Sequence, residues 1–107
     1  MFGDVLRELR HSRNMTLRQV GEKAGMDYIT LNKIERGTRM PPSLEGLIAV
    51  ADSLGLNEHE FERLLNASVD AGDKANPRFT PAQLEQLKTS GTAQAFFTRR
   101  EKEKEGD

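Results

Sequence analysis

The connection between residues 24 and 28 limits the fold of this chain more than any other feature, because it leaves almost no room between two predicted helices. Thr16 and Gln19 have the spacing of a capping box, which begins one helix, and Gly25 ends it. Asp27 is a good N-cap for a third helix that runs to a stop at Gly37. A turn this short forces the two helices to cross steeply, which is the geometry of a helix-turn-helix.

Further capping residues and apolar periodicity predict helices on both sides of this pair. Residues 2–13 form a first helix, because apolar residues recur there at helical spacing, namely Phe2, Val5, Leu6 and Leu9. Ser43 begins a fourth helix that ends at Gly55, and Asn57 with Glu60 repeats the capping-box spacing at the start of a fifth. We expect one compact domain over residues 1–70.

Residues 71–79 have the Gly, Asn, Pro and Asp content of a linker. Beyond them, Thr80 and Gln83 begin a sixth helix that we expect to reach residue 89, and Phe79 and Leu84 have the spacing of a hydrophobic staple. Residues 92–105 could form a seventh helix with a charged end. The sequence thus predicts an all-α fold with a short helical C-terminal extension over residues 80–107.

Composition excludes several kinds of site. The chain has no cysteine, so it has no disulfide, no thiolate zinc site and no cysteine nucleophile. His11 and His59 lie far apart and lack the serine or carboxylate arrangement of a triad or metal site. His11 could approach a phosphate from the outer part of the first helix, but a solvated surface position is the simpler role. We therefore expect no enzyme activity, no metal and no cofactor.

Compartment and charge give weaker signals. No apolar run approaches the roughly 18 residues of a membrane span, and the first residues, MFGDVLRELR, carry charges throughout, so we expect a cytoplasmic protein with no signal peptide and no membrane contact. The net charge is −1, but residues 1–40 carry +3 and the other 67 residues −4. Modest basicity in the first part is compatible with nucleic-acid binding.

The third helix has an unusual outward face. At about 100° per residue, Leu31 and Ile34 fall on one side, which we expect to be buried. The opposite side carries one aliphatic, one amide and two cationic side chains with an aromatic neighbour: Ile29, Asn32, Lys33, Arg36 and Tyr28. Amide and cationic groups can bond base edges or phosphates, and isoleucine can pack on a thymine methyl. A solvated face with one stray apolar residue is the simpler alternative.

Residues 2–56 resemble the helix-turn-helix domain of phage repressor, Cro and XRE-type regulators. The similar stretch is LRELRHSRNMTLRQVGEKAGMDYITLNKIERGTRMPPSLEGLIAVADSLGL, and the agreement includes Leu6, Leu9, Arg10 and Thr16, then Ala24-Gly25, IERG at 34–37 and PSLEGL at 42–47. The resemblance implies a five-helix lambda-repressor-like domain.

By this resemblance, Tyr28, Ile29, Asn32 and Lys33 occupy base-contacting positions. Arg36, Thr38 and Arg39 occupy positions that contact the DNA backbone. The family usually has Thr-Gln where this chain has Thr16-Leu17, so a phosphate contact of that glutamine is lost, and Arg18 could replace it.

Two further positions are structural by the same resemblance. Arg10 and Glu35 correspond to a pair that bridges the first and third helices and fixes the recognition helix. Gly21 replaces an alanine common in the family, which we interpret as a mild change because both residues are small.

The apolar residues of the extension are too few for a core of their own: Phe79, Leu84, Leu87, Phe96 and Phe97. They pack either on the fourth and fifth helices or on a second copy, and we favour the second copy because a symmetric regulator needs an isologous interface. The chain is thus expected to be a homodimeric transcriptional regulator, a repressor, that binds double-stranded DNA at a palindromic operator. The alternative is an antitoxin or bridging protein that uses the same fold to hold a protein partner.

Overall fold

The computed structural model describes residues 1–72, 74–89 and 91. In that part the chain forms six α-helices and no strand, which confirms the predicted all-α class. The helices are α1 (Phe2–Ser12), α2 (Leu17–Ala24), α3 (Tyr28–Glu35), α4 (Leu44–Leu54), α5 (Glu58–Ala67) and α6 (Pro81–Thr89). The five-helix arrangement of the phage repressors stays a prediction, and the suggested seventh helix lies outside the described residues.

The helix ends lie at the capping residues that the sequence predicts. Thr16 and Gln19 form both hydrogen bonds of a capping box at α2, and Asn57 and Glu60 do the same at α5. The Asp27 carboxylate accepts a hydrogen bond from the Ile29 backbone N–H at 2.8 Å, which begins α3. These local hydrogen bonds satisfy backbone donors that a helix leaves unpaired in its first turn.

One hydrophobic core joins the helices. α2 packs against α3 and α4, and α1 packs against α3 and α5. The core cluster consists of buried apolar residues of all six helices together with Leu56: Phe2, Leu6, Leu9, Val20, Leu31, Ile34, Leu47, Val50, Ala51, Leu54, Leu56, Phe61, Leu64, Leu65 and Leu84. α3 is therefore held from behind by α1 and α2, which leaves its other side free to face a ligand.

Arg13 and Glu60 form an ion pair between helices that are far apart in sequence. Two guanidinium nitrogens of Arg13 donate to the two carboxylate oxygens of Glu60 at 2.6 and 2.5 Å, and Arg13 Nε donates to the Leu54 carbonyl at 3.2 Å. The hydrogen bond from Arg13 lowers the pKa of Glu60, against an opposing effect of burial. The pair thus joins the ends of α1 and α4 to the start of α5.

The region after α5 contacts the helical domain directly. Ala71 is buried, and Phe79 and Leu84 pack in or against the core cluster of their own chain. Leu87 is half-buried, and Phe96 and Phe97 lie outside the described residues. Leu84 and Phe79 are thus covered within one chain, the arrangement that we did not favour, and their role in dimerisation stays a prediction, as does the division into domain, linker and extension.

No helix in the described ranges is long and apolar enough to cross a membrane.

Candidate nucleic-acid interface

The two sides of α3 differ as its sequence predicts. Leu31 and Ile34 are buried, with 0% and 2% of their surface exposed. On the opposite side Ile29 is 51% exposed and Tyr28 is 39% exposed, which makes them two of the three large exposed apolar residues of the described chain. The polar members of this face, Asn32, Lys33 and Arg36, are exposed as well. Ile29 therefore lies in water among groups that can bond a base or a phosphate.

The turn between α2 and α3 depends on a glycine. The Met26 backbone N–H donates to the Gly21 carbonyl at 2.9 Å, and a Cβ atom built on Gly21 would lie 2.5 Å from the Met26 carbonyl oxygen. That distance is too short for any side chain unless the backbone moves. Our interpretation of Gly21 as a mild change from alanine is therefore wrong, because the Met26 carbonyl of the turn lies closer to α2 than an alanine allows.

Arg18 and Tyr28 form a pair across this turn. The Arg18 guanidinium carbon lies 4.6 Å from the centre of the Tyr28 ring, and one guanidinium nitrogen donates to the Tyr28 hydroxyl at 3.2 Å. Both side chains are exposed, so the pair presents a fixed cation beside the first residue of α3. Leu17, at the position of the family glutamine, packs against the core cluster instead.

Two arginines of α1 hold the C-terminal end of α3. Arg10 donates to both oxygens of the Glu35 carboxylate, at 2.8 and 3.0 Å, and also to the Met15 carbonyl at 2.9 Å. Arg7 donates to the same carboxylate at 3.4 Å and to the Glu35 carbonyl at 3.2 Å. Because Glu35 is only 5% exposed, removal of either arginine would leave its buried carboxylate with fewer donors.

The loop after α3 carries the remaining residues that we expected near a DNA backbone. Thr38 donates twice to the Lys33 carbonyl, through its backbone N–H at 3.0 Å and its hydroxyl at 3.1 Å. Arg36 and Arg39 are exposed. Arg18 lies at the other end of the helix-turn-helix, on α2, so the expected backbone contacts flank the outward face of α3 at both of its ends.

The sequence did not lead us to expect a role for Arg7 or Arg78. Arg7 stands one helical turn before Arg10, and this spacing is a local signal that two arginines share one face of α1. Arg78 donates from Nε to the Pro41 carbonyl at 3.0 Å, a contact 37 residues apart in sequence that no local pattern reveals.

Acidic and histidine side chains form no cluster of three or more that could hold a metal ion within residues 1–72, 74–89 and 91.

Comparison with known proteins identifies the family of this chain. Residues 1–64 match the family described as a helix-turn-helix domain, and the chain belongs to that family. This agrees with its resemblance to XRE-type regulators.

Two relatives illustrate the similarity. The transcriptional regulator ClgR of Mycobacterium tuberculosis, in strains CDC 1551 / Oshkosh and ATCC 25618 / H37Rv, is 40% identical over 74 residues, which cover 69% of this chain and 60% of the regulator. An uncharacterized HTH-type transcriptional regulator of Bacillus subtilis (strain 168), RghRB, is 42% identical over 52 residues, which cover 46% of this chain and 37% of that protein. The chain thus spans less than two thirds of either relative. No solved structure matches this chain with comparable significance.

Proposed function

We propose that this protein is a sequence-specific DNA-binding transcriptional regulator that places α3 in the major groove. One observation carries the proposal: Ile29 is 51% exposed at the centre of a face otherwise made of Tyr28, Asn32, Lys33 and Arg36. Burying an aliphatic side chain on a thymine methyl gives this exposed surface a favourable partner. The names of the relatives, both transcriptional regulators, support the same class.

The outward face offers one group for each kind of base contact. Lys33 can donate to guanine O6 and N7, and Asn32 can form two hydrogen bonds with adenine. Ile29 favours thymine, and Tyr28 extends the face at its N-terminal end. Each of these contacts requires α3 to be held at a fixed depth, which the Arg10–Glu35 pair and the tight turn at Gly21 provide from behind.

Arg36, Thr38 and Arg39 follow the base-contacting residues, and we assign them, together with Arg18, to the DNA backbone. Cations at the two ends of a recognition helix fix its register on the duplex without reading sequence. The excess of positive charge in residues 1–40 favours the same assignment.

Dimerisation, a palindromic operator and repression complete the proposal. A single helix as short as α3 offers few contacts, whereas a two-fold pair reads two half-sites about one turn of DNA apart. A dimer on its operator excludes other proteins by occupying the site, so repression requires no further activity. Because both relatives are bacterial and the proposed partner is DNA, we place the protein in the cytoplasm.

Salt-dependent binding to duplex DNA tests this function. Arg36→Ala and Arg39→Ala should each weaken binding to all sequences similarly and lower the slope of log K against log salt by about one unit. Lys88→Ala, which removes an exposed cation of α6, is the matched control and should leave the slope unchanged. A loss confined to particular base pairs would move that arginine into base readout, and wild-type protein that does not bind DNA would refute the function.

A further inference from the structure

The chain returns to the end of the recognition helix after α5. Residues 70–72 and 74–78, which we name the strap, run beside the loop of residues 37–42 that connects α3 to α4. The strap is anchored at its start, where the Phe2 backbone N–H donates to the Asp70 carbonyl at 3.1 Å and Ala71 is buried. It is anchored at its end as well, where the Arg78 backbone N–H donates to the Ser68 carbonyl at 3.0 Å.

Two glycines let the strap and the loop touch through their backbones. A Cβ atom on Gly72 would lie 3.2 Å from the Gly37 Cα atom, and one on Gly37 would lie 3.8 Å from the Gly72 Cα atom. Both residues have positive φ angles, +149° and +75°, which favour glycine. The first residue of the loop is thus packed against the strap.

Arg78 holds the other end of the same loop. Its Nε atom donates to the Pro41 carbonyl at 3.0 Å, and Pro41 is buried. Proline carbonyls retain a hydrogen-bond acceptor although the residue has no N–H to pair within the loop. The strap therefore fixes the loop at residues 37 and 41, on both sides of Thr38 and Arg39.

The strap also adds a cation to this edge of the domain. Lys74 lines a cleft of about 400 Å³ together with Arg36 at the end of α3, Thr38 in the loop and Arg7 on α1. Two carboxylates share the cleft: Glu35 is bonded to Arg7 and Arg10, and Asp4 lies 4.0 Å from Arg7. Arg7 and Arg10 together offset the two carboxylates, which leaves Lys74 and Arg36 as exposed cations for an anion.

We propose that the strap is part of the DNA-binding surface, in which Lys74 contacts a backbone phosphate beside the one bound by Arg36, and Arg78 is a positioning residue for the loop that carries Thr38 and Arg39. This inference rests on the proposed function, because it assigns further residues to the same interface. It gives a role in binding to a segment whose composition is that of a linker.

Lys74 is tested by salt-dependent binding of the full chain to mixed-sequence duplex DNA. Lys74→Ala should weaken binding about five-fold at roughly 0.15 M salt, the effect of one lost phosphate contact, and lower the salt slope by about one unit for every sequence. Lys88→Ala removes the same charge from α6 and should change neither quantity. Equal behaviour of the two variants would overturn the phosphate contact.

The positioning role of Arg78 is tested by the salt dependence of binding together with hydrogen exchange in the loop. Arg78→Ala should weaken DNA binding several-fold with an unchanged salt slope, because Arg78 contacts the loop and not a phosphate. Amide hydrogen exchange in the free protein should become faster at Thr38, Arg39 and Met40, and Arg78→Lys, which can still donate to the Pro41 carbonyl, should restore part of both effects. Arg63→Ala removes an arginine that contacts Glu8 instead and should leave the loop unchanged.

The two levels of failure are distinguishable. Wild-type protein that shows no salt-dependent DNA binding would refute the proposed function and the strap with it. Wild-type protein that binds DNA, with Lys74→Ala and Arg78→Ala both indistinguishable from it, would refute the strap alone. Circular dichroism of each variant shows that the comparison is made between folded proteins.

Discussion

Ile29 and Lys33 lie on neighbouring turns of the outward face of α3, and we expect their replacement to change DNA binding but not stability. Both are exposed, so Ile29→Ala and Lys33→Ala should change the free energy of unfolding by no more than about 0.5 kcal/mol. If they contact bases, Lys33→Ala should cost about 1–3 kcal/mol of specific binding, and each variant should relax the preference at one base pair per half-site.

Binding titrations against a specific site and its single-base variants measure this preference. Lys88→Ala controls for loss of charge away from α3. Unchanged affinity and unchanged base preference in both α3 variants would show that this face does not read bases.

We expect the replacement of Gly21 by alanine to lower stability, which is the opposite of its usual effect in a helix. In a helix interior, glycine to alanine normally stabilises by up to about 1 kcal/mol. Here the new methyl group would lie 2.5 Å from the Met26 carbonyl, so Gly21→Ala should destabilise the protein by about 1–3 kcal/mol as the turn shifts. Denaturant unfolding measures this difference, with Glu22→Ala at the next, exposed position as the control. Increased stability in Gly21→Ala would show that the turn adapts without cost.

At the scale of the helices, the Arg13–Glu60 pair makes stability depend on pH. The pKa of Glu60 is lowered in the folded protein, chiefly by its hydrogen bond from Arg13. Its contribution is therefore fully present above the unperturbed value of 4.5 and is lost as the pH falls through the lower folded pKa. Glu60→Gln should cost about 1–2 kcal/mol at pH 7 and progressively less below pH 4.5.

Urea unfolding of both proteins between pH 3 and pH 8 measures this convergence. Glu58→Gln, which changes an exposed acidic residue at the start of the same helix, serves as the control. A constant difference between wild type and Glu60→Gln across this range would contradict a charge-dependent link between α1 and α5.

The helix ends were predictable from the sequence because capping is local. Thr16 with Gln19 and Asn57 with Glu60 are three residues apart, so the residues that form each hydrogen bond can be recognised without the fold. The buried and exposed sides of α3 followed from periodicity for the same reason. In each case the physical cause lies within one turn of helix.

Other contacts could not be predicted, because they join residues far apart in the chain. Arg13 and Glu60 are 47 residues apart, and Arg78 and the Pro41 carbonyl are 37 apart. The composition of residues 71–79 predicts a linker, but it contains no information about the surface on which residues 71, 72 and 74–79 pack. The tight approach at Gly21 was missed because it depends on the position of the Met26 carbonyl in three dimensions.

At the scale of the whole molecule, two truncations separate intrachain packing from dimerisation. A chain cut after Thr89 keeps Phe79 and Leu84, which pack in or against its own core, and loses Phe96 and Phe97. If Phe96 and Phe97 support the dimer, the chain cut after Thr89 should stay folded and become monomeric. A chain cut after Gly72 loses Leu84, which is 7% exposed, and should also be less stable.

Light scattering measures the mass of each truncated chain, and thermal unfolding measures its stability. A dimer that survives the cut after Thr89 would place the interface within residues 1–89.

Selection of bound fragments from a random pool of duplex DNA tests the central claim most directly, because it assumes no operator and no regulated gene. A pair of α3 helices related by a two-fold axis should enrich a palindrome whose half-sites lie about 10 base pairs apart, centre to centre. Repeating the selection with Lys33→Ala should relax the same position in both half-sites. A DNA pool that stays random after repeated rounds of selection with the wild-type protein would contradict sequence-specific DNA recognition by this protein.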